Sequence, residues 1–287
     1  MGRDVGFIGL GVMGKSMAGH LLDNGYSLYV HTRTADKADD LLARGAIWAD
    51  SAATVAQACD VVFTMVGFPQ DLETVYLGES GLIARMNPGT VLVDFTTSRP
   101  DLAVRIADAA AGCGGSALDA PVSGGDKGAR EGTLSIMVGG DRNAFDTVRP
   151  MLEMMGKNIV YQGPAGSGQH CKMCNQIAIA SNMLGVCEAI AYARKAGLDP
   201  EMVLKSISTG AAGSWSLSNL APRMLASNFE PGFYVKHFIK DMRIASDAAD
   251  SMTLDTPGLD LALSLYEKLA DAGYEDDGSH ALYRLYE

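Results

Sequence analysis

Lys172, Asn175 and Gln176 lie within Gly168-Gln169-His170-Cys171-Lys172-Met173-Cys174-Asn175-Gln176, at the start of a long, mostly apolar stretch. Spaced i, i+3 and i+4, they share one face of a helix, and Gly168 one turn earlier leaves room beside Lys172. A lysine among apolar helical neighbours is unusual. It either snorkels to the surface or stands in a cleft, where an amine can give or take a proton. Metal binding at Cys171-x-x-Cys174 is not expected, because no second cysteine pair or His pair completes four ligands. A second candidate is Asp119-Ala120-Pro121-Val122-Ser123-Gly124-Gly125, which follows an apolar strand. Its turn is either a plain tight turn or a nest of backbone N–H groups suited to a carboxylate, with the Ser123 hydroxyl as a further donor. Lys240-Asp241, in a later helical stretch, presents another cation.

Anion chemistry of another kind stands near the chain's beginning. An apolar run ends in Gly9-Leu10-Gly11-Val12-Met13-Gly14, and a helical pattern follows. In such a turn the first glycine bends the chain and the second lets the backbone approach a pyrophosphate. The third glycine closes the helix against the strand. The free N–H groups and dipole of the helix start favour phosphate. Gly9, Leu10, Gly11, Val12, Met13 and Gly14 are therefore candidate cofactor contacts. A second strand, Ser27–His31, runs into Thr32-Arg33-Thr34, with no acid before Asp36. An acid at this place holds an unphosphorylated ribose, whereas a 2′-phosphate needs a cation. Arg33 offers a planar fork, and Thr32 and Thr34 offer hydroxyls. The reading is NADP, with NAD as the alternative and a solvated turn arginine as the plain one.

The elements that must position these residues are legible in outline. The chain has 287 residues, 47% hydrophobic and 20% charged, as in an ordinary globular protein of two domains or one large one. Strands are expected at Val5–Gly9, Ser27–His31, Val61–Val66, Thr90–Asp94, Ser116–Ala120, Leu134–Val138 and Asn158–Tyr161. Amphipathic helical stretches such as Ala35–Arg44, Thr54–Ala58 and Arg99–Gly112 lie between them. Near-continuous apolar strands suit a parallel sheet covered on both faces. That is a doubly wound Rossmann domain, over residues 1–164. Beyond it the pattern turns helical: Ser167–Ala196, Pro200–Ser208, Ser216–Ala226, Val235–Ser251 and Thr256–Ala272. Residues 165–287 therefore form an all-helical domain for substrate binding and dimerisation. The Ser167–Ala196 helix, apolar on most faces, should be buried on most sides, partly by a second subunit. A homodimer or homotetramer is expected.

Other partners are constrained by charge. With 23 basic against 34 acidic residues and a net charge of −11, the chain lacks the basic face that nucleic acid requires. No apolar run is expected to reach the roughly 18 residues that span a bilayer. The first strand begins at Asp4 or Val5, so no leader peptide is expected and a cytoplasmic location follows. Five cysteines show no disulfide-framework spacing.

Taken together, these motifs resemble the β-hydroxyacid dehydrogenase family, which includes 3-hydroxyisobutyrate dehydrogenases, tartronate semialdehyde reductases and glyoxylate or succinic semialdehyde reductases. The resemblance covers nearly the whole chain. It rests on Gly6–Gly14, Asp94-Phe95-Thr96-Thr97-Ser98-Arg99-Pro100, Asp119–Gly125, Gly168-x-x-x-Lys172-x-x-Asn175 and Lys240-Asp241. It implies that Lys172 is the catalytic acid/base, that Ser123, Gly124 and Gly125 hold a substrate carboxylate, and that Asn175 orients the substrate. Lys240 would lie near both substrate and nicotinamide. Thr97 would contact the cofactor, and Met65, Val66 and Asp241 are assigned to the same cofactor site. Gly213-Ser214-Trp215-Ser216 is similar to the branch that oxidises 3-hydroxyisobutyrate and serine, which puts Trp215 in the substrate pocket. Two departures stand out. Gln176 replaces a frequent second Asn, and Arg33 is similar to NADP-using reductases rather than to the many oxidising members with an acid there.

The implied activity is the interconversion of a small 3-hydroxy acid and its semialdehyde by an NAD(P)-dependent enzyme. Free lysine, with a pKa of about 10.4, is a ready acid for reduction but needs burial or a second cation to serve as base. The alternatives are an NADPH-dependent glyoxylate or succinic semialdehyde reductase, and a non-catalytic dinucleotide-binding protein, whose mark is loss of the lysine. An imine reductase usually replaces that lysine as well.

Overall fold

The structure is a computed structural model and describes residues 4–287. Two compact units divide at Lys172 and Met173, inside a single long helix.

The first unit alternates strand and helix: β1 (Asp4–Ile8), α1 (Gly14–Asp23), β2 (Ser27–His31), α2 (Asp39–Ala43), β3 (Ile47–Trp48), α3 (Ala52–Ala58), β4 (Val61–Thr64), α4 (Pro69–Leu77), β5 (Val91–Asp94) and α5 (Pro100–Gly112). It continues with β6 (Ser116–Asp119), β7 (Val122–Ser123), α6 (Gly125–Glu131), β8 (Leu134–Gly140), α7 (Arg142–Met155) and β9 (Gly156–Gly163). The strands lie in the order β3-β2-β1-β4-β5-β6-β8, with β7 also on β8 and β9 on its other side. From β3 to β6 all pairs are parallel; β8 runs antiparallel to β6 and β7.

Period-two alternation explains the burial. Phe7, Phe63 and Val93 face one cluster, while Ile8, Val62 and Leu92 face another across the sheet. Phe63 and Phe95 stack at 5.5 Å between ring centroids. With helices on both faces, β4 and β5 are buried at every residue. The order reverses beside β1, between β2 and β4. Ligands bind doubly wound sheets at such a switch point.

The second unit is helical. The long helix α8 (Ser167–Lys195) continues into it, followed by α9 (Pro200–Ile207), α10 (Trp215–Asn219), α11 (Ala221–Leu225), α12 (Val235–Ser251) and α13 (Pro257–Leu269). The single helix expected over Ser216–Ala226 is two: α10 stops at Leu220, and Pro222 stands in the first turn of α11.

The long helix departs from expectation in one respect. Its inner side, including Met173, Ala180, Met183, Cys187 and Ile190, packs into the helical core. Its outer side (Cys174, Ala178, Ser181, Gly185, Glu188 and Tyr192) is exposed in the single chain, which is the side that the expected second subunit would cover. The helix is long and apolar enough to cross a membrane by length and composition. The expectation that no run reaches that length is corrected on that count; 44% of its apolar stretch is buried inside the protein.

Candidate functional site

The glycine turn follows β1, and its three glycines differ in what surrounds them. Gly9 has φ +93° and donates its N–H to His31 O at 2.9 Å, pinning the ends of β1 and β2 together. A Cβ there would stand 2.1 Å from Met65 O, and one on Gly14 would stand 2.0 Å from Gly9 O. Both positions are closed by backbone. Gly11 is the opposite: it is exposed, and a Cβ would meet nothing within 4 Å. Leu10 is buried, whereas Val12 is exposed and Met13 half-buried. No side chain caps the start of α1, so its first N–H groups are left for a ligand or solvent. This arrangement fits a pyrophosphate.

At the end of β2, Thr32 is half-buried and Thr34 exposed. The Arg33 side chain is 85% exposed and its Nη1 lies 3.0 Å from Asp71 Oδ1 on α4. Asp71 has no sequence signal, being 38 residues away. An exposed pair of this kind holds by about 0–1 kcal/mol, so a phosphate can take the guanidinium from it. After β2 no acid stands before Asp36. The cation suits a 2′-phosphate.

Two further loops complete this unit's cofactor-assigned residues. Met65 and Val66 follow β4 half-buried, and Val66 donates its N–H to Thr96 Oγ1 at 3.0 Å. Thr96 donates its own N–H to Asp94 Oδ1 at 2.9 Å, which fixes the chain into half-buried Thr97. Beside Thr97, Ser98 Oγ is buried without a hydrogen-bond partner.

Lys172 is 6% exposed, and its Nζ donates to Val122 O at 2.8 Å. It does not snorkel. The carbonyl it meets immediately precedes Ser123, Gly124 and Gly125; both glycines have positive φ, at +130° and +62°. The structure thus joins the two leading sequence candidates in one place. Asp119 and Gln169, quoted above only as parts of motifs, prove to be buried organisers. The Asp119 carboxylate accepts from Gly166 N and Gln169 N, each at 2.8 Å. Burial pushes its pKa up to about 6, partly offset by the N–H groups that it accepts.

In the second unit, Asn175 Nδ2 donates to Gln176 Oε1 at 2.6 Å, and Gln176 Nε2 donates to Asp241 Oδ2 at 2.6 Å. Lys240 Nζ stands 2.9 Å from Asp241 Oδ1. Buried Asp241, assigned from sequence to the cofactor, therefore has its Oδ2 hydrogen-bonded by Gln176, while its Oδ1 faces Lys240 as an ion pair and makes no hydrogen bond. Gln176, noted only as a departure, links Asn175 to that carboxylate. Trp215 is 64% exposed at the start of α10, where Ser214 Oγ accepts from Leu217 N, and it joins none of these contacts. Among the described residues no group of three or more His, Cys, Asp or Glu is placed to hold a metal ion. Two surface cavities of about 560 and 500 Å³ are lined by none of these site residues.

Fold and site together define an NAD(P)-binding oxidoreductase with a buried lysine beside a glycine turn. Comparison with known proteins agrees. Residues 4–163 match the family described as the NAD-binding domain of 6-phosphogluconate dehydrogenase. Residues 166–286 match the NAD-binding region of NADP-dependent 3-hydroxyisobutyrate dehydrogenase. The chain is 60% identical to the uncharacterized oxidoreductase YkwC of Bacillus subtilis over 286 residues, covering 100% of this chain and 99% of that one. It is 41% identical to 2-hydroxy-3-oxopropionate reductase of Escherichia coli, covering 94% and 92%. It matches Mycobacterium tuberculosis 3-hydroxyisobutyrate dehydrogenase, solved with L-serine, at a TM-score of 0.90 and 30% identity over 99% of each chain. The chain belongs to the β-hydroxyacid dehydrogenase family. It is an NAD(P)-dependent oxidoreductase that acts on CH–OH groups.

Proposed function

We propose that this enzyme interconverts a small 3-hydroxy acid and its semialdehyde, using NADP(H) and Lys172 as the proton-transfer group. The observation that carries this reading is Lys172 Nζ, buried and 2.8 Å from the carbonyl that precedes Ser123. Ser123, Gly124 and Gly125 would hold the substrate carboxylate, and Asn175, held through Gln176, would orient the substrate. When bound, the nicotinamide accepts or supplies the hydride. Gly9–Gly14 and Arg33 would hold the pyrophosphate and 2′-phosphate, with Thr97, Met65 and Val66 completing that site. In oxidation the Lys172 amine takes the hydroxyl proton; in reduction its ammonium returns one to the carbonyl oxygen. The E. coli relative is named for reducing 2-hydroxy-3-oxopropionate, and the M. tuberculosis structure holds L-serine; both are small and carry a carboxylate. The test is a steady-state panel of 3-hydroxyisobutyrate, serine, 2-hydroxy-3-oxopropionate, glyoxylate and succinic semialdehyde with each cofactor. The highest kcat/KM should fall on a 3-hydroxy acid or its semialdehyde. A clear preference for glyoxylate or succinic semialdehyde with NADPH would replace this reading with the reductase one that Arg33 favours.

The assembly proposed is a homo-oligomer built on the second unit. The outer side of α8 is exposed and α9 buries no residue, with Tyr192, Leu198 and Met202 all more than half exposed. A second copy suits this surface better than lipid, because Ser181 and Glu188 stand within it. Light scattering should give at least twice 30.2 kDa at micromolar concentration; a monomer mass excludes the assembly.

A further inference from the structure

The first turn of α8 is tied to loops that carry cofactor-assigned residues, and one side chain makes the tie. Gln169 is fully buried. Its Nε2 donates to Thr96 O at 2.7 Å, and its Oε1 accepts from Ser98 N at 2.9 Å. The amide therefore grips the chain on both sides of Thr97, as a neighbouring strand would. Through its Oγ1, Thr96 also takes the Val66 N–H, so the Met65–Val66 loop belongs to the same bonded group.

The other end of the tie is backbone. Gln169 N donates to Asp119 Oδ2, and Gly166 N donates to Asp119 Oδ1. Two glycines make room for that carboxylate. A Cβ on Gly139 would stand 2.6 Å from Oδ1, and one on Gly168 would stand 2.9 Å from Oδ2. Three residues on, nearly one helical turn, Lys172 reaches Val122 O. Residues 169 and 172 are i and i+3, so both stand on one face of the same first turns of the helix.

We propose that Gln169 is a positioning residue that couples dinucleotide binding to the placement of Lys172. The inference rests on the reading of Lys172 given above. Thr96 and Ser98 are buried, so losing the amide strands a carbonyl and an N–H without partners. The Thr97 loop then relaxes independently of the helix. Because coupling is reciprocal, whatever orders the loop also orders Lys172 while Gln169 is present. Glutamate is the informative substitute. Its carboxylate can accept from Ser98 N but cannot donate to Thr96 O; protonated, it can do both.

The experiment measures NADPH affinity by the fluorescence of the bound nucleotide, and amide exchange over residues 96–98 and 166–172. In the wild type, NADPH should slow exchange in both segments. In Gln169→Met, which keeps the side chain's length, the NADPH Kd should rise about tenfold. Protection should then reach residues 96–98 but not 166–172. For Gln169→Glu, the Kd ratio to wild type should fall from about tenfold near pH 8 to about twofold near pH 6, as the acid gains its proton. This pH arm decides the matter should the methionine variant fail to fold. A Kd ratio independent of pH, or NADPH protection of residues 166–172 in Gln169→Met equal to wild type, overturns the coupling. Both readouts follow binding and exchange, so they are independent of turnover. The proton-transfer reading fails separately, on Lys172→Ala keeping its rate.

Discussion

Lys172 and Lys240 are both cations held by buried oxygen, yet they are held in opposite ways. Around Lys172 the partners are mostly main chain: Val122 O takes the ammonium, and Asp119 and Gln169 secure the helix by gripping backbone groups. Around Lys240 the partners are side chains in series, with Asp241 between the lysine and Gln176, and Gln176 holding Asn175. A carbonyl is present whatever residue stands at 122. A relay of side chains depends on each member. The first arrangement should be insensitive to what residue stands at 122, yet sensitive to the lysine and to the two side chains that grip its helix; the second should fail from its centre.

The largest effect belongs to the lysine itself. Lys172→Ala should lower kcat by roughly 10²–10⁴, the usual contribution of a positioned acid or base, with NADPH Kd nearly unchanged. Lys172→Arg should not restore it, because a guanidinium keeps its proton. With the wild type, oxidation should rise with pH and reduction fall. Retention of most of the turnover by Lys172→Ala removes the lysine from the mechanism.

Next comes the centre of the relay. Asp241→Ala deprives Lys240 of its counter-charge and Gln176 of its acceptor together. Lys240 is 13% exposed at its side chain and can relax toward water, so the loss of stability should be about 2–3 kcal/mol rather than the full cost of an isolated buried charge. Substrate KM should rise as Asn175 loses its anchor. Asp241→Asn, which keeps an acceptor, should fall between. An unchanged urea midpoint and KM would show that the relay bears no strain, and the contrast between the two lysines would collapse.

Asp119 tests the main-chain arrangement through pH. Its folded pKa, about 6, lies above the ordinary carboxylate value of about 3.9. The folded protein therefore binds this proton more tightly than the unfolded chain. The stability that it contributes is fully present below about pH 4 and is lost as pH rises through 6, on the order of 2–3 kcal/mol. In Asp119→Asn this slope should vanish, so the stability of the wild type relative to the variant should fall between pH 4 and 7. Urea unfolding at several pH values measures it. Equal slopes in the two proteins would place the Asp119 proton outside the folding equilibrium.

How much of this was readable beforehand follows the same division. The glycine turn, the Ser27–His31 strand, the Val235–Ser251 helix and the Lys172 face come from local spacing, and the structure has them. The strand Ile47–Trp48 is two residues at an edge, too short for any period to show. Val122–Ser123 is hidden behind Pro121, which interrupts its run from β6. Gln169 was invisible as an organiser because its partners lie 71 and 73 residues away, and those of Asp119 lie 47 and 50 away. A sequence shows which side chain could bond, whereas only the fold shows which backbone group meets it. The outer side of α8 is legible only in part for a related reason: apolar composition fixes that a face is to be covered, not by what.

The smallest effect belongs to Asp71, the partner of the one cation in this group that stands in water. Arg33 pairs with Asp71, its side chain 85% exposed against 25% for Asp71. Such a pair contributes about 0–1 kcal/mol. Binding a 2′-phosphate must draw the guanidinium away from Asp71 or share it, so Asp71 acts as a weak competing anion. Asp71→Asn should therefore tighten NADPH by at most about fivefold and leave NADH unchanged, since 1.4 kcal/mol corresponds to a factor of ten. Arg33→Asp should do the reverse, weakening NADPH by about 2–3 kcal/mol while sparing NADH. The preference ratio from fluorescence titrations is the measurement, repeated at raised salt, where the Asp71 effect should shrink because the pair is screened. Should Asp71→Asn weaken NADPH instead, Asp71 is a support that aims the arginine at the phosphate. The exposed pair would then belong with the side-chain relay of Lys240, as a member whose loss disables its neighbour.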